Sequence, residues 1–327
     1  MPTLSHLAKD ERTARMVLAL IDAPNDTVTG GLLMRVGAVE LISLIERDSS
    51  VAGLDRVEAA VWRHRLRLTA NPDHVASRMG SGGDYRVLIP EDSEWPTALN
   101  DLGARTPYAL WTRGRTELLT APLAQRTTLT GARAATGYGV HVAEELSGDL
   151  AESDRALVAG GAYGIEGSAH RAALMHGDNT IAVLASGLDR AYPVGHADLI
   201  ESIAHRGLVF TEAPPASAPT RQRFLDRSRI LAALSGATVI VEAGFRSDTL
   251  QTAREASVLG RFVGAVPGPV TSAASAGTNR LLQDGRARVV TCGSDVLRML
   301  GDDTSAPGRN AIRPGAPHVV SPNTRVL

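Results

Sequence analysis

The sequence predicts an α/β protein: a doubly wound, mostly parallel sheet with a small helical N-terminal domain. Three observations lead there. Between Thr127 and Leu300 the chain repeats a strand, a Gly-rich or polar turn and an amphipathic helix. Its strands are almost continuously apolar, as in Thr238-Val239-Ile240-Val241, which suits parallel strands covered on both faces. The first 70 residues carry helical periodicity alone.

Residues 10–24 read as an amphipathic helix with Met16, Val17, Leu20 and Ile21 on one face, and helical patterns recur at 37–46 and 54–66. The stretch Pro72 to Tyr85, containing Met79-Gly80-Ser81-Gly82-Gly83-Asp84, reads as linker or exposed loop. Val87 to Pro90 and Tyr108 to Trp111 look like lead-in strands, so that 71–126 joins the two parts. Strands follow at 127–131, 156–160, 180–184, 207–211, 237–242, 262–266 and 287–291. Helices fall at 136–150, 166–176, 196–206, 225–235, 249–260, 277–284 and 294–301. Residues 303–327, with Pro307, Pro314, Pro317 and Pro322 and no periodicity, read as a disordered tail.

Composition narrows the function. A chain of 327 residues, 43% hydrophobic and 21% charged, is ordinary for a globular protein. No apolar run approaches the roughly 20 residues of a membrane span, and the first 23 residues carry acids and arginines where a signal peptide needs an apolar stretch. The expectation is a cytoplasmic protein without a membrane partner. The single cysteine, Cys292, excludes an intramolecular disulfide and a cysteine zinc site, and reads as a small core residue. A net charge of −1 means that any affinity for phosphate comes from local clustering. Lys9 is the single lysine, so the basic count of 34 is otherwise arginine. Aromatics at 4% favour a backbone-phosphate mode over base stacking.

The turns carry the chemistry. Parallel β/α units gather them at the carboxyl ends of the strands, where glycines admit a phosphate and arginines neutralise it. Gly131-Ala132-Arg133 is either a phosphate cradle with Arg133 as donor or a plain tight turn. Ala159-Gly160-Gly161-Ala162-Tyr163-Gly164-Ile165-Glu166 has three glycines in five residues, which implies close approach of a ligand or of another backbone. It lacks the G-x-G-x-x-G spacing of dinucleotide folds. Glu166 suits a helix N-terminus, and His170 reads as a packing residue. Arg221, Arg223, Arg227 and Arg229 face only Asp226. On a helix starting near Leu225, Arg227 and Arg229 point to different sides, so one holds the fold while the other faces the ligand. No nucleophile elbow, P-loop or paired His and Cys marks a catalytic set, and no cofactor or metal is implied.

These motifs resemble those of the DNA-processing protein A (DprA, or Smf) family. The resemblance rests on Gly131-Ala132-Arg133, Tyr138-Gly139, Gly160 to His170, Thr180 to Leu184, Tyr192-Pro193, Thr211-Glu212, Phe224 to Ser235, Val241-Glu242-Ala243, Ser247 to Ala253 and Gly260 to Gly268, in the family's order and spacing. It implies a Rossmann-like domain over 127–302 and a helical, SAM-like domain over 1–70. It further implies a non-catalytic, dimerising protein that binds single-stranded DNA and assists a RecA-type recombinase. Carried over by position, the DNA contacts are Gly131, Arg133, Gly161, Gly164, Arg227, Arg229 and Ser247, with Arg221, Arg223, Arg246, Glu166 and Asp248 as further candidates.

The departures are specific. Asp248 stands where the family has glycine, Ser228 replaces Asn, Glu166 replaces Asp and Ala132 replaces Ser. A winged-helix module present in many relatives is not matched after Leu300. A rival reading is a nucleotide-binding enzyme or sensor of the LOG-like group, although Glu242 to Ala253 lacks its P-G-G-x-G-T-x-x-E pattern. A third is a scaffold that has lost its ligand and only recruits partners.

Overall fold

A computed structural model describes residues 3–80 and 82–301; the tail expected at 303–327 lies outside them. The seven strands of the repeat form as β3 (Arg126–Thr130), β4 (Ala156–Gly160), β5 (Thr180–Val183), β6 (Leu208–Thr211), β7 (Ala237–Ile240), β8 (Phe262–Ala265) and β9 (Arg288–Val289). These seven pair with one another in parallel throughout. The lead-in strands β1 (Arg86–Leu88) and β2 (Leu110–Gly114) extend the same sheet by antiparallel pairing, β2 to β6 and β1 to β2. The nine-stranded order is β1-β2-β6-β5-β4-β3-β7-β8-β9.

Alternate strand residues serve opposite faces, and both faces are covered. Leu157 joins a core with α7 (Gly137–Glu152), α8 (Ile165–His176) and α13 (Gly293–Met299). Its neighbour Val158 joins a different core with Ile230 and Leu231 of α10 (Arg221–Ala233). α9 (Ala197–Arg206), α11 (Leu250–Val258) and α12 (Ala276–Gln283) complete the winding. The chain runs outward from β3 to β6, then returns to β7 on the other side of β3. The order therefore reverses between β3 and β7, which places a crevice outside their carboxyl ends.

The N-terminal part packs six helices: α1 (Leu4–Leu7), α2 (Glu11–Ile21), α3 (Thr27–Val36), α4 (Ala38–Glu46), α5 (Arg56–Arg67) and α6 (Pro72–Gly80). The buried face of α2 is Ala14, Val17, Leu18 and Ile21, displaced from the predicted stripe, with Met16 and Leu20 only partly covered. The expected linker is largely helix. Asn71 Oδ1 accepts from the His74 amide at 3.1 Å, Pro72 takes the first helical position, and Val75 is buried in the helical core.

Two further expectations are corrected. α10 starts at Arg221, because the Thr220 side chain accepts from the Arg223 amide; Arg221 and Arg223 thus belong to its first turn. Cys292 is exposed, as the residue preceding α13, since β9 ends early. Among the described residues no single helix is long and apolar enough to cross a membrane.

Candidate nucleic-acid interface

The switch-point crevice is a cleft of about 320 Å³, lined among others by Gly131, Arg133, Ala162, Glu166, Phe224, Arg227, Ser247 and Asp248. Its floor is a buried ion pair. Arg227 on α10 reaches Glu166 at the start of α8, with Nη2 3.2 Å from Oε1. Glu166 also accepts from the Thr130 hydroxyl at 2.9 Å and the Ala162 amide at 3.0 Å. Burial alone would push this carboxyl up, but Arg227 and the two neutral donors together hold it below the usual range.

The glycines make room for this floor. A Cβ on Gly160 would lie 2.1 Å from Arg227 Nη1 and 2.4 Å from Glu166 Oε2. Gly164 has φ +74°, and a Cβ there would sit 2.3 Å from the Ala132 carbonyl oxygen and 2.4 Å from that of Arg133. The turns after β3 and β4 thus touch backbone to backbone. A Cβ on Gly131 would meet the Ile165 side chain and the Glu242 carbonyl. Gly161 faces away from the cleft, toward Leu184 and the Tyr192 carbonyl.

The lips differ in charge. Arg133 is exposed, with its guanidinium 4.3 Å from the centre of the Phe224 ring. Among the described residues no carboxylate lies within ion-pair distance of it. On the opposite lip Asp248 pairs with Arg221 at 3.0 Å. It does not cap α11, since the Thr249 amide donates to Ser247 Oγ at 3.3 Å. The Thr249 hydroxyl donates to the Gly131 carbonyl at 3.2 Å, joining the lips. Among the described residues two arginines and two carboxylates line the cleft, and the charge left uncommitted is Arg133. The Arg227 Nε also lies buried without an acceptor among the described residues.

A sequence model of the DNA recombination-mediator protein A family matches residues 86–301. The chain belongs to that family. A Mycobacterium tuberculosis protein carrying the name DNA processing protein DprA is 43% identical over 310 residues, covering 91% of this chain and 77% of its own length. The crystal structure of DprA from Streptococcus pneumoniae superposes with a TM-score of 0.71 at 27% identity, covering 91% of this chain and 98% of the other. A Helicobacter pylori DprA structure, whose description concerns its single-stranded DNA binding mode, gives 0.60 at 30% identity over 67% of this chain and 96% of the other.

Within this DprA fold the remaining candidates have other partners. Arg229 leaves the cleft: its guanidinium forks onto Glu212 at 2.6 and 2.7 Å and donates to the Arg105 carbonyl at 2.9 Å. With its side chain 1% exposed, it joins α10 to the lead-in segment. Arg223 donates to the Ala218 carbonyl at 2.7 Å, and Arg246 is exposed outside the cleft lining. His170 is fully buried between the Thr180 hydroxyl at 2.7 Å and the Gly160 carbonyl at 3.0 Å. Burial lowers its imidazole to about 4. Glu242, which opens the segment lacking the LOG-like pattern, is buried and accepts from the Thr136 amide at 2.9 Å and hydroxyl at 2.5 Å. Both of its oxygens are committed to starting α7. Among the described residues no group of His, Cys, Asp or Glu is placed to hold a metal ion. Sequence reasoning did not single out Phe224, Ala162, Ser228, Thr249 or Thr252 as lining residues; the position of Phe224 four residues after Thr220, on the first turn of α10, is the signal that an earlier helix start supplies.

Proposed function

We propose that this protein binds single-stranded DNA in the switch-point cleft and delivers it to a RecA-type recombinase, acting in the cytoplasm as a homodimeric binding protein rather than an enzyme. One observation carries the reading: Arg133 stands exposed at the cleft lip, beside a helix N-terminus, without a carboxylate partner among the described residues. The neighbouring arginines Arg227 and Arg221 are neutralised by Glu166 and Asp248. A phosphate therefore gains most at Arg133, with Gly131 and Ser247 lining its approach and the Arg227 guanidinium beneath. The single-strand mode described for the Helicobacter pylori relative supports the choice of ligand.

The test is a titration of the full chain with a labelled single strand, a duplex of equal length and mononucleotides. Tight binding of the single strand alone is expected. Preference for mononucleotides would favour the nucleotide-binding reading. Recombinase delivery is tested by whether the protein speeds filament assembly on coated single strands, and dimerisation by sedimentation.

A further inference from the structure

Exposed aromatic rings gather at one end of this sheet. Tyr138, Tyr163, Tyr192, Phe245 and Phe262 are the strongly exposed aromatic side chains among the described residues. All but Phe262 stand in the connections leaving the carboxyl ends of parallel strands: Tyr138 after β3, Tyr163 after β4, Tyr192 after β5 and Phe245 after β7. Half-buried Phe224, after β6, gives each of the five connections from β3 to β7 one such ring, whereas the connection after β8 carries none. Single exposed apolar side chains need no explanation. A concentration of this kind does, because only 4% of the chain is aromatic and Trp62, Trp95, Trp111 and Phe210 are spent in the cores.

Part of the group forms two sets of ring contacts beside the cleft, brought near each other where the Tyr192 carbonyl lies 3.5 Å from a Cβ placed on Gly161, two residues before Tyr163. The Arg133 guanidinium covers Phe224 at 4.3 Å, and the Tyr192 ring centre lies 5.9 Å from that of Phe224. Four residues beyond Tyr192, His196 meets Tyr163 edge-on at 4.6 Å. His196 is itself buried and hydrogen bonds through Nδ1 to the Gly161 carbonyl at 3.0 Å. A Cβ on Gly195 would lie 2.4 Å from the Tyr163 hydroxyl, so this ring is held from two sides while 48% of the residue stays exposed. Tyr192 is 41% exposed. Rings fixed in this way lose little freedom when a flat partner covers them.

We propose that Tyr192 and Tyr163 form a stacking row for the nucleobases of a single strand whose phosphates are held at Arg133. This inference rests on the proposed reading of the cleft and extends its ligand from phosphate to base. Every base has a π face, so such a row is tolerant of sequence. A duplex keeps its bases stacked on each other, so the row selects single strands, which the Arg133 charge alone does not.

The experiment titrates the full chain with an oligothymidine and with an abasic strand carrying the same number of phosphates. It uses the parent, Tyr163→Leu/Tyr192→Leu, Tyr163→Phe/Tyr192→Phe and Arg133→Ala. The Leu pair should bind the thymidine strand about tenfold more weakly and the abasic strand like the parent. The Phe pair should match the parent on both, and Arg133→Ala should weaken both. A Leu pair that binds the thymidine strand like the parent overturns the row; if Arg133→Ala still loses affinity, the cleft reading survives. A Leu pair equally weakened on both strands also overturns it, because the loss then does not come from bases. A parent that binds neither strand overturns row and cleft together.

Discussion

Replacing Arg227 with alanine should cost mainly stability, because its guanidinium neutralises a carboxylate that is 3% exposed. Removing one partner of a buried pair costs about 3–5 kcal/mol. Glu166 would keep the Thr130 hydroxyl and the Ala162 amide, and it borders an open cleft, so the lower end applies, about 3 kcal/mol. For a domain of this size that lowers Tm by roughly 6–12 °C. Glu166→Gln should cost a similar amount by stranding the guanidinium, whereas Glu166→Gln/Arg227→Met removes both charges and should recover much of the loss. Thermal melting of the four proteins completes the cycle. An Arg227→Ala protein that melts with the parent, or a double variant that loses the sum of the singles, would refute the reasoning: the pair would then contribute nothing to the floor.

Other consequences follow from the same contacts. Asp248→Gly should raise single-strand affinity a few-fold in a titration at fixed low salt, because it removes a negative charge from the lip and frees Arg221; unchanged affinity would mean that the strand does not pass this turn. Arg229→Ala should lower Tm and leave DNA affinity of the folded protein unaltered, since its fork onto Glu212 lies outside the cleft. His170 should make the protein acid-sensitive: its folded pKa of about 4 lies below the unfolded value near 6.5, so stability present above that value is lost as pH falls through the interval. The loss is about 2 kcal/mol by about pH 5; Glu166, whose pKa is lowered, adds its own loss only at still lower pH, below the ordinary carboxylate range, while the raised carboxyls of Asp22 and Asp226 oppose it. Melting curves across pH should be shallower for His170→Gln.

The parallel sheet is legible in the chain because two-sided burial writes unbroken apolar runs, such as Thr238 to Val241, between polar turns. What escapes is decided by single hydrogen bonds. Asn71 and Thr220 each start a helix with one side-chain oxygen, and both helices begin where composition alone suggests loop or a later start. The division of labour between Arg227 and Arg229 follows from their spacing on α10, but which of them meets the cleft depends on the partners Glu166 and Glu212, 61 and 17 residues away. Gly164 illustrates the same limit. Its positive φ is foreseeable from the glycine run, yet its close neighbours are the Ala132 and Arg133 backbones rather than a ligand. The low aromatic content suggests that stacking is minor, whereas the topology brings most of the exposed rings to the carboxyl end of the sheet.

The most direct test of the account is the salt dependence of single-strand binding by the parent and by Arg133→Ala. Each phosphate neutralised on a single strand contributes about −0.7 to the log–log slope. The account predicts a steep slope for the parent and, for a variant that melts like the parent, a weaker affinity with a slope shallower by about that amount. An Arg133→Ala protein that keeps both affinity and slope would contradict it and move the DNA site away from the switch-point cleft.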